Sequence, residues 1–191
     1  TSFNNAVSAG AAQAPPFVFY FNGWDASGTG SSSGVSIQHP AGDIKKISTY
    51  TSALSSTSWG GVTPNTHWRV VWSSTPNGHG VTEGGSSGSA IFNSSGRIVG
   101  TLTGGGSFCT STSSPDIYGK MSYHWNSNGS SGDQRVDVHL DPSGGGSTTV
   151  LNGIAHPCSV TPSVDAGIDS IQEPFGVYCD GSIDPIVSIR N

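Results

Sequence analysis

Apolar and polar positions alternate along most of the chain in short stretches, the pattern that predicts half-buried β-strands. The stretches are rich in β-branched or aromatic residues and are bounded by turn-forming residues. The predicted strands are Phe17–Gly23, Val35–His39, Ile44–Tyr50, Trp68–Trp72, Ala90–Asn93, Ile98–Leu102 and Tyr118–Trp125. Together they predict an all-β fold.

Turn-rich segments separate these strands, at Asp25–Gly34, Gly60–Asn65 and Thr75–Gly80. Ser94-Ser95-Gly96 stands between two apolar runs and predicts a hairpin turn. One short helix is predicted over Asp133–Leu140, where Val136 and Leu140 stand four residues apart and Pro142 ends the pattern.

The pattern changes after Asn152, where strand-like stretches follow at 168–171, 174–176 and 183–189. The last of them is followed only by Arg190 and Asn191, with no partner strand after it. We therefore predict a domain boundary near Pro157. Residues 1–157 would form the first domain, and 158–191 a linker with the first strands of a truncated β domain.

Composition and charge exclude several classes of protein. Only 10% of the 191 residues are charged and 28 are Gly, which disfavours coiled coils and charge-rich disordered segments. With 7 Lys and Arg against 12 Asp and Glu, no basic stripe exists for a nucleic acid. The longest apolar run, Phe17–Phe21, is strand-sized, whereas a membrane span needs roughly 18 residues. No signal peptide is visible at the start.

The cysteines do not form a metal site. Cys109, Cys158 and Cys179 lack the spacing of metal ligands, so neither a metal nor a cofactor is expected. In an extracellular chain, an odd number of cysteines indicates that one disulfide partner lies outside this segment.

The strongest chemical signal is the segment Glu83–Ala90, which contains Gly-Gly-Ser-Ser-Gly-Ser. A nucleophilic serine needs a hydroxyl exposed on a tight turn and backbone N–H groups that face a developing oxyanion. Gly85 can adopt a positive φ and present its own N–H, and Gly88 permits close approach of a substrate. On composition alone, a surface loop rich in Gly and Ser is the more common explanation.

The order of the neighbouring segments changes that balance. From about Phe19 to Gly153, the chain resembles the second barrel of trypsin-like serine proteases, and most closely the bacterial lysyl endopeptidase family. Several motifs in the same order carry the resemblance: Gly23-Trp24-Asp25, residues 39–48, Trp59-Gly60-Gly61, residues 80–89, Asp116–Lys120, Leu140-Asp141-Pro142 and Leu151-Asn152-Gly153. The resemblance implies an antiparallel Greek-key barrel with a short helix near Asp133–Asp141.

The resemblance also implies roles for individual residues. Ser87 would be the nucleophile, and the N–H groups of Gly85 and Ser87 would form the oxyanion hole. The backbone of Leu102–Gly104 would run beside the substrate. Asp116 would lie at the base of a pocket for a basic side chain, since an enclosed carboxylate pairs with Lys or Arg. Without the family, Asp116 would be read as a turn residue after Pro115.

Two positions depart from the family pattern. Thr103 stands where lysyl endopeptidases have a His before the Gly-Gly pair that begins at Gly104. Trp59 matches the Trp beside the family's pocket, so the combination of His and Trp is incomplete, and Arg is admitted beside Lys. Ala90 replaces the usual Pro at the start of a strand.

A serine nucleophile also needs a His base and a carboxylate that orients it. The resemblance implies that both belong to the N-terminal barrel of the same protein, upstream of this chain. The six His are His39, His67, His79, His124, His139 and His156. The pair His39 and Asp43 belongs to a turn, and His79 lies in a Pro-Asn-Gly turn with no orienting acid. His67, at the start of a strand, is read as structural, and His139 as packing or solvent-facing. The chain alone is therefore expected to be inactive and to expose an apolar face where the missing barrel would pack.

The end of the chain, from about Val164, resembles the opening of Ig-like modules appended to secreted bacterial enzymes. Cys158 and Cys179 would then pair with each other, and Cys109 would match a family Cys that bonds to the far N-terminus. Three free thiols are the alternative. The resemblance places the protein outside the bacterial cell, with protein or peptide substrates.

Two other classes of protein compete with a protease. A non-catalytic, protease-like module that binds protein or glycan agrees with the low charge and with the missing His and Asp. It does not explain why the Gly85–Ser89 loop and Asp116 occur together. A Gly-rich structural β protein would show internal repeats, and the chain has none.

Overall fold

A computed structural model describes residues 20–61, 63–155, 168–173 and 186–189, the last two segments through their backbone only. Residues 22–153 form one compact unit, and the other described strands belong to a second. The predicted boundary near Pro157 stays a prediction. Cys158 and Cys179 lie outside the described residues, as do 17–19 of the first predicted strand and the stretch 174–176.

The described residues contain fifteen short strands and two short α-helices. The strands are β1 (Tyr20–Phe21), β2 (Trp24–Asp25), β3 (Gly34–Gln38), β4 (Lys46–Tyr50), β5 (Ser55–Thr57), β6 (His67–Val70), β7 (Ser74–Thr75), β8 (Gly78–His79), β9 (Ala90–Asn93), β10 (Ile98–Gly105), β11 (Asp116–Lys120), β12 (Val150–Leu151), β13 (Ile154–Ala155), β14 (Ile168–Glu173) and β15 (Ile186–Ile189). The helices are α1 (Met121–Asn126) and α2 (Asp137–Leu140), and 3₁₀ turns cover Pro40–Gly42 and Gly132–Gln134.

The principal sheet has the strand order β4-β3-β9-β10-β11-β6-β5, with antiparallel neighbours. β2 pairs in parallel with β10 and antiparallel with β12. No continuous ladder between described strands closes this sheet, but an isolated bridge joins Thr49 of β4 to Ser73, just beyond β6. The predicted all-β, barrel-like fold is confirmed.

Aromatic and aliphatic side chains fill the interior of this curved sheet. Trp72 stands edge-on to Tyr50 and Tyr118, with ring centroids 6.4 and 6.1 Å apart. Gly100 lets β10 and β11 approach, because a Cβ there would lie 2.5 Å from the carbonyl oxygen of Gly119. The buried core consists of Tyr50, Leu54, Trp68, Val70, Trp72, Ile91, Val99, Leu102 and Tyr118.

The prediction of a strand over Tyr118–Trp125 is wrong in its second half. The strand ends at Lys120, and α1 begins at Met121. Met121 and Trp125, four residues apart, are both buried in a small cluster with Ala26. That spacing is helical, because residues four apart share a helix face, and the aromatic composition of the segment concealed it.

The predicted helix over Asp133–Leu140 is also corrected. The segment begins with a 3₁₀ turn, becomes extended at Arg135 (φ −124°, ψ 133°), and is α-helical only from Asp137. The Arg135 guanidinium pairs with the buried carboxylate of Asp137, which accounts for the break. Leu140, read as an apolar anchor, is exposed.

The remaining strand predictions differ mainly in their ends. Ala90–Asn93 and the turn at Ser94-Ser95-Gly96 are confirmed, whereas β10 extends to Gly105. β5 was missed because its sequence, Ser-Ser-Thr, lacks apolar alternation. The strands are shorter than predicted at Ile44–Tyr50, at Trp68–Trp72 and in the described part of Phe17–Gly23. β15 lies within the predicted stretch 183–189, whereas β14 extends two residues past the predicted stretch 168–171.

None of the helices in the described part of the chain is long and apolar enough to cross a membrane.

Candidate active site

The loop before β9 presents Ser87 to solvent. Two turns shape it, in which the N–H groups of Ser86 and Ser89 donate to the carbonyls of Glu83 and Ser86 at 3.0 Å. Gly85 (φ +97°) and Gly88 (φ +82°) occupy conformations that L side chains rarely adopt. The Ser87 hydroxyl and the N–H groups of Gly85 and Ser87 make no hydrogen bond to any described residue.

Strand β10 holds this loop in place. The Gly88 N–H donates to the Leu102 carbonyl, and the Leu102 N–H donates to the Ser89 carbonyl, both at 2.9 Å. These bonds continue the β9–β10 pairing. Ser87 therefore lies beside the part of β10 around Leu102. At this point β10 leaves the core, shortly before the Gly-Gly segment that begins at Gly104.

Asp116 is fully buried at the start of β11 and accepts four hydrogen bonds. Its Oδ2 atom accepts hydrogen bonds from Trp72 Nε1 at 2.6 Å, from Thr82 Oγ1 at 2.6 Å and from Ser107 Oγ at 2.5 Å. Its Oδ1 atom accepts a hydrogen bond from the Ser107 N–H at 3.1 Å. Neither ion pair found among the described residues involves Asp116, so hydrogen bonds alone stabilise its charge.

Ser87 and Asp116 lie toward the same end of the sheet. Asp116 is opposite Gly105 on β10, and the Ser87 loop is bonded to Leu102 on that strand. Three residues of strand separate these points by about 10 Å. Thr82 connects the two positions, because its hydroxyl donates to Asp116 and the Ser87 loop follows it in sequence.

Trp59 packs on the same stretch of β10. Its indole lies against Gly104, where a Cβ would stand 3.1 Å from the Cη2 atom, and 42% of the residue remains exposed. Thr103 is exposed one residue earlier on the strand. The structure thus brings Trp59, Gly104 and Asp116 to one segment of β10 and leaves the Thr103 side chain at the surface.

None of the described histidines makes a hydrogen bond with Ser87. His39 Nδ1 lies 3.0 Å from the carbonyl oxygen of Asp43, while the Asp43 carboxylate accepts the Ile44 N–H and pairs with Lys46 at 3.1 Å. These contacts hold the pKa of Asp43 below its usual range. His79 Nδ1 contacts its neighbouring carbonyl at Gly80. In the described part of the chain, no three His, Cys, Asp or Glu residues could hold a metal ion together.

A cleft of about 680 Å³ is lined in part by Glu83, which precedes Ser87 in the same loop. Its walls come from the segment after β3, from β4 and from the β7–β8 hairpin, and Cys109 reaches its edge. The Cys109 N–H donates to Glu83 Oε1 at 3.2 Å. Neither Ser87 nor Asp116 lines this cleft.

Sequence reasoning missed the three side chains that surround Asp116. The sequence pattern placed Trp72 at the end of a strand and Thr82 within the motif of residues 80–89, and it assigned no role to Ser107. They lie 44, 34 and 9 residues from Asp116 in sequence. A local signal existed only for Ser107, which follows three glycines that allow the chain to bend back over Asp116.

The chain matches a known protein family. The profile of the family described as "Lysyl endopeptidase, C-terminal domain" matches residues 10–119, a range that includes Ser87 and Asp116. The chain therefore belongs to the lysyl endopeptidase C-terminal domain family, which is protease-related. The resemblance inferred from the motifs is confirmed.

Proposed function

We propose that this chain is part of a secreted bacterial serine endopeptidase that cleaves peptide bonds after Lys, and also after Arg to some extent. Ser87 is its nucleophile. The observation that carries the proposal is the buried carboxylate of Asp116, which has no cationic partner among the described residues. A buried charge without a counter-ion is costly, and a substrate's ammonium group would provide that counter-ion.

The hydroxyl groups around Asp116 suit an ammonium ligand. Thr82 Oγ1 and Ser107 Oγ both approach Asp116, and each hydroxyl oxygen retains acceptor capacity for a further donor. A Lys side chain brings three donors on one compact charge. Trp59, which packs on Gly104, would cover the aliphatic stem of that side chain.

Ser87 would attack the carbonyl carbon of the substrate while a base removes its hydroxyl proton. The carbonyl oxygen then becomes an oxyanion, and the free N–H groups of Gly85 and Ser87 would stabilise it. Collapse of this intermediate expels the amine, which takes the proton from the protonated base, and water later hydrolyses the acyl-enzyme. We place the base and its orienting carboxylate in the N-terminal barrel of the full-length protein.

The decisive experiment compares full-length protein and this chain on matched Lys and Arg amide substrates. Full-length protein should turn over Lys substrates, and Ser87→Ala should abolish that turnover. Ser95→Ala, in the turn between β9 and β10, is the matched control. The chain alone should show no turnover at an enzymatic rate.

Asp116→Asn is the sharper specificity variant. It removes the charge and keeps one acceptor oxygen for the side chains of Trp72, Thr82 and Ser107, but its NH2 group would face the Ser107 N–H. Asp116→Ala would leave all four buried donors unsatisfied and would destabilise the fold further. Loss of Lys preference in an Asp116→Asn variant that keeps a cooperative unfolding transition supports the proposal. Lys-peptide binding by full-length protein without any cleavage would instead identify a binding module.

A further inference from the structure

The turn after β3 packs directly against the Ser87 loop. Within it, Ala41 has a left-handed conformation (φ 55°, ψ 21°), which is unfavourable for a residue with a Cβ. The turn is closed by the Asp43 N–H, which donates to the Pro40 carbonyl at 3.0 Å, and by the contact of His39 Nδ1 with the Asp43 carbonyl. Neighbouring structure must hold a conformation of this kind.

The neighbour that holds the turn is the Gly84–Gly85 peptide. The Ala41 N–H donates to the Gly84 carbonyl at 2.8 Å. The approach is close, because a Cβ on Gly85 would lie 3.1 Å from the His39 carbonyl oxygen and 3.2 Å from the Gly42 nitrogen. Only a glycine fits at position 85 without displacing this turn.

This contact determines the direction of the Gly85 N–H. In a trans peptide, the C=O of one residue and the N–H of the next point in opposite directions. Because the Gly84 carbonyl points at the turn, the Gly85 N–H points away from it. That N–H has no acceptor among the described residues, so it is available to a ligand.

We propose that the turn His39–Asp43 is a positioning element, in which the Ala41 N–H holds the Gly84–Gly85 peptide in the orientation that makes Gly85 an oxyanion donor. The inference rests on the proposed function of the Ser87 loop. Rotation of this peptide would place the Gly84 carbonyl, rather than the Gly85 N–H, on the reacting side. The turn therefore supports the chemical step rather than substrate binding.

The kinetic test uses two substitutions of Ala41 in full-length protein, on a Lys amide substrate. Ala41→Pro removes the N–H and cannot adopt a positive φ. It should lower kcat about 100-fold, the cost of one lost oxyanion donor, with little change in KM. Ala41→Gly keeps the N–H, accepts a positive φ, and should retain kcat. An unchanged kcat in Ala41→Pro, or equal losses in both variants, would overturn the proposal.

Hydrogen exchange of the unmodified chain, followed by NMR, gives a measurement that needs no activity and no variant. The Ala41 amide should exchange at least 10-fold more slowly than the free Gly85 amide after correction for intrinsic rates. A protected Gly85 amide, or an unprotected Ala41 amide, would overturn the proposed orientation. If full-length protein is inactive on Lys substrates while this exchange pattern is observed, the proposed function is wrong. The orientation of the Gly84–Gly85 peptide by the Ala41 N–H is then still supported.

Discussion

At the scale of single residues, the chemical role of Asp116 depends more on the side chains around it than on its position in a motif. A fully buried carboxylate is stabilised by the hydrogen bonds that it accepts from N–H and O–H groups. At Asp116 these donors are Trp72, Thr82 and Ser107. The same hydroxyls would contact the ammonium group of a substrate. Recognition of a basic side chain would thus depend on residues that no short motif identifies.

Ser107→Ala should therefore weaken cleavage after Lys. It removes a hydroxyl that touches Asp116 and leaves the backbone donor of Ser107 in place. A hydrogen bond to a charged group contributes about 1.5–3 kcal/mol, so kcat/KM on a Lys amide should fall about 10- to 100-fold in full-length protein. Ser114→Ala, in the neighbouring loop, is the matched control. Equal kinetics for both variants would show that Ser107 has no part in recognition.

At the scale of elements, α1 is fixed by one deeply buried side chain. Trp125 lies against Trp24 with ring centroids 6.0 Å apart, and its Nε1 donates to the Gly146 carbonyl at 2.9 Å. The indole thus joins α1 to β2 and to the segment before β12. The segment reads as a strand in sequence, and these contacts make it a helix.

Trp125→Ala should lower the free energy of unfolding by about 3–5 kcal/mol, the range for truncating a large aromatic side chain in a core. Tyr123→Ala, on the same helix but only partly buried, should cost much less. Urea unfolding followed by circular dichroism measures both variants. Similar losses would mean that the contacts of Trp125 with β2 do not stabilise the fold.

The junction of β6, β11 and α1 brings together three basic groups. His67 pairs with Gly119 across the sheet, and His124 Nε2 lies over the same glycine. Lys120 is buried beside them, with its ammonium 4.1 Å from the Trp68 ring centre and bonded to Ser56. Burial lowers the pKa of all three groups, and for His67 the neighbouring His124 and Lys120 lower it further.

This junction should make the fold sensitive to acid. As the pH falls, the histidines of the unfolded chain, with pKa values near 6.5, take up protons at a higher pH than those of the folded chain. The stability present above about pH 6.5 is therefore lost as the pH falls through the lowered pKa values of the folded state. Urea unfolding between pH 7.5 and 5 should show this decline. His124→Gln should reduce the slope, whereas the exposed His139→Gln should not. Equal slopes would exclude the junction as the cause.

At the scale of the whole molecule, the β3–β4 hairpin has an inverted arrangement of polarity. Apart from Tyr50, which belongs to the core, its buried side chains are polar: Tyr118 OH donates to Ser36, and Gln38 donates to Ser48 and to the Val81 carbonyl. Its outward side chains include Ile37 and Ile47, which are opposite each other and 43% and 58% exposed. Ile44, in the connection between the strands, is 72% exposed.

An exposed apolar surface of this kind should promote self-association of the isolated chain. Ile37→Thr combined with Ile47→Thr keeps β-branched residues, so it should preserve the hairpin while reducing association. Sedimentation velocity over a range of concentrations measures the effect. Val138→Thr, at an exposed site on α2, is the control. If the unmodified chain remains monomeric, the expected role of this surface is wrong.

The sequence by itself determined the all-β class, most strand positions, the β9–β10 turn and the family. Each of these depends on local alternation, on turn chemistry or on the order of motifs. It also singled out Ser87, Gly85 and Asp116 as candidates. Local patterns do not distinguish an aromatic strand from the helix that begins at Met121, because a buried aromatic residue suits either element.

Only the tertiary structure decided which groups meet around these candidates. The donors to Asp116 come from three separate segments, and the turn that holds the Gly84 carbonyl comes from a fourth. The inward face of the β3–β4 hairpin was likewise decided by the partners available to Ser36 and Gln38. The physical reason is that a buried polar group must find its partner in space, and sequence spacing does not encode that distance.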